Sequence, residues 1–468
     1  MRTVRDFGAM GDGVVDDTDA IRHAIDQNAG EIVFPPGDYR ITSTIDIPLR
    51  ERGRIGISGS HGTAKIVMAG AGPALRILGS HGGTADPGGF DPGVWEKERF
   101  TVVSGIEIEG AHPEADGIQV DGAMQTTFEG VLLRNLRHGI HLVNRARNVL
   151  VSHCHIYDNS GIGVFLDHVN LHQMIVSASH ISYCKQSGIK ILNGQVRNIQ
   201  MTGNDIEYNY DQAAGEDAAP SAEIWIETTD DNATIREGTI SGSTIQSRYS
   251  PGGANIYFKG GPAGDNTKAG MFAITGNLIG SQETNVRIES SQSITLTGNM
   301  IYSGHKRNLH IKDSRGIIAS ANNFDHNPGY LPKELATGIR VEDSTDCILS
   351  GCTVRDAYAG VHTVETPATL EREGLIELRG CARTTVSGCQ ILDAAKDAIH
   401  VVGGRAVTLN GNTILDSRES PMMRHAIAWQ GPGSANVVQG NTMSAGVAET
   451  MAFAGEAGVV QRNNTIAE

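Results

Sequence analysis

A short phrase that recurs through most of the chain constrains its fold more than any other feature. The phrase reads small residue, Gly or Ala, then Asn, Cys or Ser, any residue, and Ile or a similar apolar residue, and it returns about every 20–25 residues. A repeat of this length predicts a solenoid, in which each repeat contacts its neighbours and the chain builds one continuous core. The third position of the phrase is occupied by Asn135, Cys154, Ser179, Asn204, Ser243, Asn277, Asn299, Asn322, Cys352, Cys389, Asn412, Asn441 and Asn464.

A second phrase alternates with the first and predicts one half-buried strand per repeat. An apolar residue, a variable residue and another apolar residue follow one another, so the apolar pair points inward and the variable residue points outward. Stacked repeats place the variable residues in one outward column, with neighbours about 4.8 Å apart. The predicted members of this column are Gln119, His141, Gly163, Lys190, Trp225, Tyr257, Arg287, His310, Arg340, His362, His400 and Ala428.

Together the two phrases predict an all-β protein, a parallel β-helix with three parallel sheets and about twelve turns. The 58 glycines agree with a chain made of turns and strands. We expect the Asn, Cys and Ser column to be interior, because stacked amides can bond the backbone where strands turn a corner. We expect no metal there, because a column spaces potential ligands without making them converge.

The first 48 residues differ from the repeats and are predicted to form an N-terminal cap (1–48), followed by the β-helix (49–468). An apolar stripe preceded by acidic residues predicts a short amphipathic helix from Asp17 to Gln27. Strands are expected near 30–34 and 35–41. Two unusually long turns, near 208–222 and 260–270, are predicted to be insertions that wall a groove.

The N-terminal segment resembles the motif that opens proteins of the pectate-lyase-like superfamily. The resemblance rests on about 45 residues, and it implies a right-handed parallel β-helix and a carbohydrate-active protein. It does not extend to the polygalacturonase pattern, because Arg137 and His138 stand where such an enzyme has paired aspartates. The signatures of mannuronan epimerases are also absent. The motif is carried by Val4–Ala9, Gly11–Gly13, Asp16–Thr18, Ala20–Ile21 and Val33–Tyr39.

Charge and hydropathy exclude several partners. The net charge is −15 and no Lys/Arg run is present, so we expect no nucleic-acid partner. No stretch is long and apolar enough to predict a membrane span, and the first residues do not resemble a signal peptide. We therefore expect a cytoplasmic protein, or a secreted or virion protein if a leader has been removed. A homotrimer is expected by analogy with β-helix relatives, and neither metal nor cofactor is expected.

A groove that binds a poly- or oligosaccharide is predicted around Trp225 and Tyr257, because outward aromatic rings can stack on sugar faces. Gly163 is expected to leave a hollow there. Arg248 and Lys259 complete the predicted substrate-binding set.

The first functional hypothesis is hydrolysis of a glycosidic bond, or glycan transfer, by two carboxyl groups. Glu223, expected on the outward face beside Trp225 and shielded by the 208–222 insertion, is the expected proton donor, and Asp167 is the expected base or nucleophile. Glu227 is a further carboxylate, with an alternative structural role in an alternating charge ladder with Lys259 and Glu289.

Two alternatives stay open. A polysaccharide lyase or epimerase acting on uronate residues would use Lys190, His141 or His168 to remove a proton, while Lys190 or Arg137 neutralises the carboxylate. A non-catalytic glycan-binding or tailspike-like module is also compatible with the fold, because a fold does not fix a function.

Overall fold

The computed structural model describes residues 2–27, 30–82, 90–262, 264–327, 329, 337–356, 371–455 and 457–467. The chain divides into two compact units, Met1–Thr239 and Ile240–Glu468. Each unit is built from parallel strands arranged in three ladders, which we call the first, second and third ladders.

The predicted N-terminal helix is confirmed and spans Thr18–Gln27, with Ile21, Ala24 and Ile25 buried. Asp17 lies just before it and is itself buried, because its carboxylate accepts hydrogen bonds from the backbone N–H groups of Met10 and Gly11 at 2.6 and 3.0 Å. Within the described residues, no helix has the length and apolar character needed to cross a membrane. The other helices are short: Val4–Phe7, Leu49–Arg52, Pro92–Lys97 and Gln212–Asp217.

In the first unit, the first ladder contains Ile45–Pro48, Gly72–Leu78, Ala115–Met124, Ile140–Ser152, Ile162–Ser177, Ser187–Leu192 and Ala222–Glu227. The second ladder contains Gly30–Val33, Ile55–Ser58, Val102–Ser104, Thr127–Glu129, the later halves of Ile140–Ser152 and Ile162–Ser177, and Gln195–Thr202. The third ladder contains Asp12–Asp16, Gly37–Ile41, Ala64–Met68, Glu107–Gly110, Leu132–Arg134, His155–Tyr157, His180–Ser182 and Asp205–Glu207. The strand Thr234–Ser241 follows.

In the second unit, the first ladder contains Ala254–Lys259, Thr284–Glu289, Arg307–Lys312, Ile339–Glu342, Gly374–Arg379, Asp397–Val402, Ile427–Gln430 and Met451–Ala454. The second ladder contains Ala269–Thr275, Ser291–Thr297, Ile318–Ser320, Ile348–Ser350, Thr385–Ser387, Thr408–Asn410, Asn436–Gln439 and Val459–Arg462. The third ladder contains Thr244–Gln246, Leu278–Gly280, Met300–Tyr302, Asn323–Asp325, Thr353–Arg355, Gln390–Leu392, Thr413–Leu415, Thr442–Ser444 and Thr465–Ala467.

These ladders confirm the predicted parallel β-helix. The strands Ile140–Ser152 and Ile162–Ser177 each run through two ladders without a break, so the first and second sheets are continuous there. The described strands form more turns than the about twelve predicted from the repeat, because the N-terminal segment adds turns that lack the recurring phrase.

The strand register defines the outward column and corrects the prediction at two rungs. Ile140 pairs with Val164 and His141 with Phe165, so Phe165, and not Gly163, is the outward member of its turn. A Cβ on Gly163 would meet Ile181 Cγ2 at 2.7 Å, which shows that this position faces packed interior. At the rung after Arg340, where His362 was predicted, the strand register pairs Arg340 with Glu377. The predicted member His362 lies outside the described residues.

The predicted interior column is confirmed at most of its positions, and its amides bond from one turn to the next. Asn322 Oδ1 accepts the backbone N–H and the side-chain amide of Asn299 at 3.0 and 2.9 Å, and its own amide donates to Leu296 O at 2.9 Å. Asn277 makes the same contacts to Asn299. The six cysteines are buried. Asn135 is an exception, because it lies exposed at a corner.

Replacing Asn322 by Ala is expected to lower the free energy of unfolding by about 2–4 kcal/mol, because it removes three buried hydrogen bonds and leaves the backbone N–H of Asn299 without an acceptor. The adjacent Asn323 is the matched control, since it faces outward on the neighbouring strand position and its Oδ1 accepts no hydrogen bond from any described residue. Urea unfolding followed by circular dichroism measures both. Equal effects of Asn322→Ala and Asn323→Ala would contradict the structural role of the amide column.

Candidate functional site

Glu223, the predicted proton donor, belongs to the interior and not to the outward face. It is 1% exposed, and its Oε1 accepts the backbone N–H of Asn209 at 2.9 Å. Asn209 Oδ1 accepts the backbone N–H of Cys184 in the same way, and Asn159 does so for Leu136. Glu223 therefore occupies the next position of a second amide column, and the predicted outward orientation is wrong because its carboxylate replaces an amide at a corner.

Asp167, the predicted partner of Glu223, instead lies between two imidazoles. His141 Nε2 is 3.2 Å from Oδ2, and His168 Nδ1 is 2.6 Å from Oδ1. The ring of His141 stacks on Phe165, with centroids 5.0 Å apart. Burial raises the pKa of Asp167, but the hydrogen bonds from His168 and His141 outweigh it and leave the pKa below its ordinary value. Asp167 is thus a carboxylate that orients two histidines.

Lys190, Trp225 and Glu227 form a compact cluster on the next two strands. Lys190 Nζ lies 3.8 Å from the centroid of the Trp225 ring and 2.9 Å from Glu227 Oε2. The ammonium therefore covers one face of the indole while it pairs with the carboxylate. This arrangement brings together three of the predicted residues, and it holds Glu227 in an ion pair.

The substrate-binding residues predicted in the second unit differ in exposure. The Tyr257 ring is only 6% exposed, because the Arg287 guanidinium lies 4.7 Å from its centroid. The predicted open aromatic platform is therefore wrong at Tyr257. Lys259 pairs in register with Glu289, as the predicted charge ladder requires. Arg248 is exposed beyond the strand Thr244–Gln246.

A carboxyl pair lies on the third ladder of the first unit, away from the predicted pair. Asp205 and Glu207 point the same way from one strand, and Asp205 Oδ2 is 2.6 Å from His180 Nε2. Burial and the neighbouring Asp205 raise the pKa of Glu207 above its ordinary value. The rings of Tyr183 and Tyr208 stack on each other with centroids 5.7 Å apart, and Tyr183 is 46% exposed. Tyr208 directly follows Glu207 in the sequence.

A pocket rich in cations lies on the first ladder of the second unit. Its volume is about 210 Å³. Arg287, His310 and Arg340 are consecutive members of the outward column and line it. The remaining lining residues are Glu283, Thr284, Lys306, Arg307 and Glu371.

Arg307 is the most deeply buried cation of this pocket. Its side chain is 7% exposed, and its Nε has no hydrogen-bond partner in the described part of the chain. Burial and the nearby Arg340 lower the pKa of Arg307 to about 10. A buried guanidinium with an unused donor favours the approach of an anion.

Glu377 lies beneath the pocket, fully buried, and is the shared counter-ion of three arginines. Arg307, Arg340 and Arg379 approach it at 3.2, 2.7 and 3.0 Å. Burial raises the pKa of Glu377, but the charges of Arg307 and Arg340 outweigh the effect of burial and lower the pKa to about 2. Glu377 thus holds three arginines in place, while Arg287 pairs with Glu289 and Lys306 with Glu283.

Sequence reasoning missed this pocket although part of its signal was present. Arg287, His310 and Arg340 were correctly placed in the outward column, and three cationic rungs in succession were the signal. Arg307 and Glu377 could not be recognised, because their proximity depends on contacts between turns that are far apart in sequence. Across the described residues, no group of three His, Cys, Asp or Glu side chains is arranged to hold a metal ion.

Comparison with known proteins gives matches to two family models. A model described as right handed beta helix region matches residues 93–224 and 224–414. A model described as rhamnogalacturonase A/epimerase, pectate lyase-like, matches residues 1–81.

One curated relative and two solved structures illustrate the likeness. Mannuronan C5-epimerase AlgE6 of Azotobacter vinelandii is 36% identical over 83 residues, which are 16% of this chain and 10% of that protein. Its A-module superposes with a TM-score of 0.53 at 15% identity, over 95% of this chain and 99% of the module. The N-terminal fragment of gene product 12 of bacteriophage Phi29 gives a TM-score of 0.53 at 12% identity, over 94% and 81%. At these identities the superpositions show the fold alone.

The buried Glu377 predicts a pH-dependent contribution to stability. Its pKa is lowered from 4.5 to about 2, so the stabilisation is fully present above pH 4.5 and is lost as the pH falls towards 2. Glu377→Gln is expected to reduce the free energy of unfolding by about 3 kcal/mol from pH 7 down to about pH 4.5, and by progressively less below that pH. Urea unfolding between pH 7 and pH 3 measures this, with the exposed Glu419→Gln as control. A pH-independent difference would contradict the assignment.

Proposed function

Because this chain belongs to the right-handed parallel β-helix proteins of the pectate-lyase-like superfamily, we propose that it is an enzyme acting on an acidic, uronate-containing polysaccharide. The proposed reaction removes the proton at C5 of a uronate residue, which leads to epimerisation or to β-elimination. Hydrolysis, the first hypothesis from the sequence, becomes the second candidate.

The cationic pocket of the second unit is the observation that carries this proposal. The whole chain has a net charge of −15 and would repel a polyanion, so a concentration of cations on one ladder needs a local reason. Guanidinium groups bind carboxylates with paired hydrogen bonds. Removal of a proton next to a carboxylate also places negative charge on that carboxylate, and fixed cations stabilise this charge as it develops.

The carboxylates of the predicted groove give less support to hydrolysis. A hydrolase needs a protonated carboxyl group at the pH of the reaction. Glu223 serves a structural amide column, the pKa of Asp167 is lowered, and Glu227 is paired with Lys190. The likeness of a short segment to a mannuronan C5-epimerase agrees with the proton-removal class, although the signatures of those epimerases are absent from the sequence.

The proposal is tested by incubating the intact chain with polyuronates and with neutral glucans. Elimination is followed at 235 nm, epimerisation by the proton NMR spectrum of the polymer, and hydrolysis by new reducing ends. We expect elimination or epimerisation on a polyuronate and no reaction with a neutral glucan. Hydrolysis of a neutral glucan as the main reaction would overturn the proposal.

The pocket has its own test once a substrate reacts. Arg340→Gln removes one cation and is expected to raise the KM for the polyuronate about tenfold or more, because a charge-assisted hydrogen bond is lost. Arg315→Gln is the matched control, since Arg315 is 63% exposed and pairs with Asp346 outside the pocket. The same KM for wild type and Arg340→Gln would remove the pocket from substrate binding.

Hydrolysis remains a second candidate because of Glu207, whose pKa is raised beside Asp205. A raised pKa suits a general acid, and the stacked Tyr183 and Tyr208 offer a surface for a sugar ring. If the chain produces reducing ends, Glu207→Gln is expected to lower kcat about a hundredfold. The outward Glu129→Gln, on the second ladder, serves as control. Unchanged kcat in Glu207→Gln would dismiss this site.

A further inference from the structure

A cavity of about 240 Å³ opens on the first ladder of the second unit, on the same outward column as the cationic pocket. After Arg340 the column continues with Glu377, His400, Ala428 and Ala452. The last two are alanines, and their small side chains leave the hollow. The cavity is walled by Glu373, Asp397, Arg424 and His425.

Asp397 organises this wall from a fully buried position. Its carboxylate contacts Arg424 Nη2 at 2.7 Å, His400 Nδ1 at 2.7 Å and His425 Nδ1 at 2.8 Å. Burial raises the pKa of Asp397, but the hydrogen bonds from Arg424, His400 and His425 outweigh it and hold the pKa far below its ordinary value. The group is therefore a carboxylate that accepts from three donors.

The contact to Asp397 fixes which nitrogen of each imidazole carries the proton. A carboxylate can only accept, so Nδ1 of His400 and of His425 must donate to it. In a neutral imidazole with Nδ1 protonated, Nε2 keeps its lone pair. Because His425 lines the cavity while the His400 side chain is 3% exposed, only His425 of this pair can present that lone pair to a substrate.

We propose that His425 is the catalytic base of this chain, an inference that rests on the proposed action on uronates. Asp397 and His400 are positioning residues, which fix the orientation and tautomer of the imidazole. Arg424, 39% exposed beside the cavity, pairs with Asp397 and with Glu373 at 2.9 Å and would orient a substrate carboxylate bound there.

The C5–H bond breaks, the proton moves to His425 Nε2, and the electron pair is delocalised into the uronate carboxylate. In epimerisation a proton from water then adds to the opposite face of C5, and the His425 imidazolium gives its proton to the hydroxide that is left. In β-elimination the pair instead forms the C4=C5 double bond, the C4–O bond breaks, and the leaving oxygen takes a proton from the imidazolium or from water. Neither course needs an oxidant or reductant.

The cationic pocket and this cavity suit one glycan. They lie on the same ladder, and the rungs between Arg340 and Ala428 are each about 4.8 Å apart. A polyuronate lying along the column can place one carboxylate in the cationic pocket while another residue of the chain enters the cavity. Binding in the pocket thus positions the reacting sugar against His425.

The test is loss of the C5 proton of a polyuronate in wild type, His425→Ala and His326→Ala. Epimerisation is followed in D₂O by mass spectrometry as deuterium incorporation at C5, and β-elimination by absorbance at 235 nm. His326 is the matched control, because its Nδ1 also pairs with an aspartate, Asp325 at 2.9 Å, but outside the cavity. His425→Ala is expected to lower the rate of C5 proton loss about a hundredfold or more, and His326→Ala to leave it unchanged. Free imidazole is expected to restore part of the activity of His425→Ala, because the variant leaves room for it beside Asp397. A merely structural histidine would give no such rescue.

A second variant keeps the inference testable if His425→Ala unfolds. Ala452→Phe fills the cavity from its partly exposed side while leaving His425 and Asp397 in place, and it is expected to abolish C5 proton loss with polyuronate still bound. Activity of His425→Ala or Ala452→Phe within twofold of an active wild type would overturn the base assignment and leave the proposed function intact. A wild type that reacts with no polyuronate would instead overturn both.

Discussion

The hydrogen bond from one turn's backbone to the next turn's side-chain amide is the interaction on which the rest of the structure depends. Asn322 Oδ1 accepts the backbone N–H of Asn299, and Asn299 Oδ1 accepts the backbone N–H of Asn277. Each of these bonds lies at a corner where the strand ladder stops. These bonds satisfy buried N–H groups that would otherwise each cost about 1–3 kcal/mol. They also fix the stacking of successive turns. Fixed stacking keeps side chains of distant sequence positions in one outward column, and the column is what a ligand meets.

Buried carboxylates convert that column into a charged surface. Glu377 forms ion pairs with three arginines, and Asp397 accepts hydrogen bonds from Arg424 and two histidines. Both carboxylates stay ionised, because their partners lower their pKa values. Breaking either cluster would leave a charge buried without compensation, which is strongly destabilising. The same contacts therefore hold the turns together and aim guanidinium and imidazole groups outward, so stability and the proposed chemistry share their residues.

The fold, the N-terminal helix and the interior amide column were predictable, because each follows from local periodicity. The outward column was predictable at Lys190, Trp225 and Arg287, but not at Phe165. There the sequence Gly163-Val164-Phe165-Leu166 offers two apolar frames, and only pairing with His141 selects one. Glu223 looked outward by alternation, although a corner turns it inward. The Asp397 cluster was hidden because His425 lies outside any strand, and its approach to Asp397 depends on the stacking of turns.

The second unit is proposed to bind a glycan through the carboxylate groups of that glycan. Isothermal titration of the intact chain with a uronate oligosaccharide, and with the same oligosaccharide after reduction of its carboxyl groups to alcohols, tests this most directly. The two ligands share their hydroxyl groups and linkages and differ in charge. The account predicts that the acidic form binds at least about tenfold more tightly and that its affinity falls as salt is added. Equal affinity for the two forms, unchanged by salt, would contradict it.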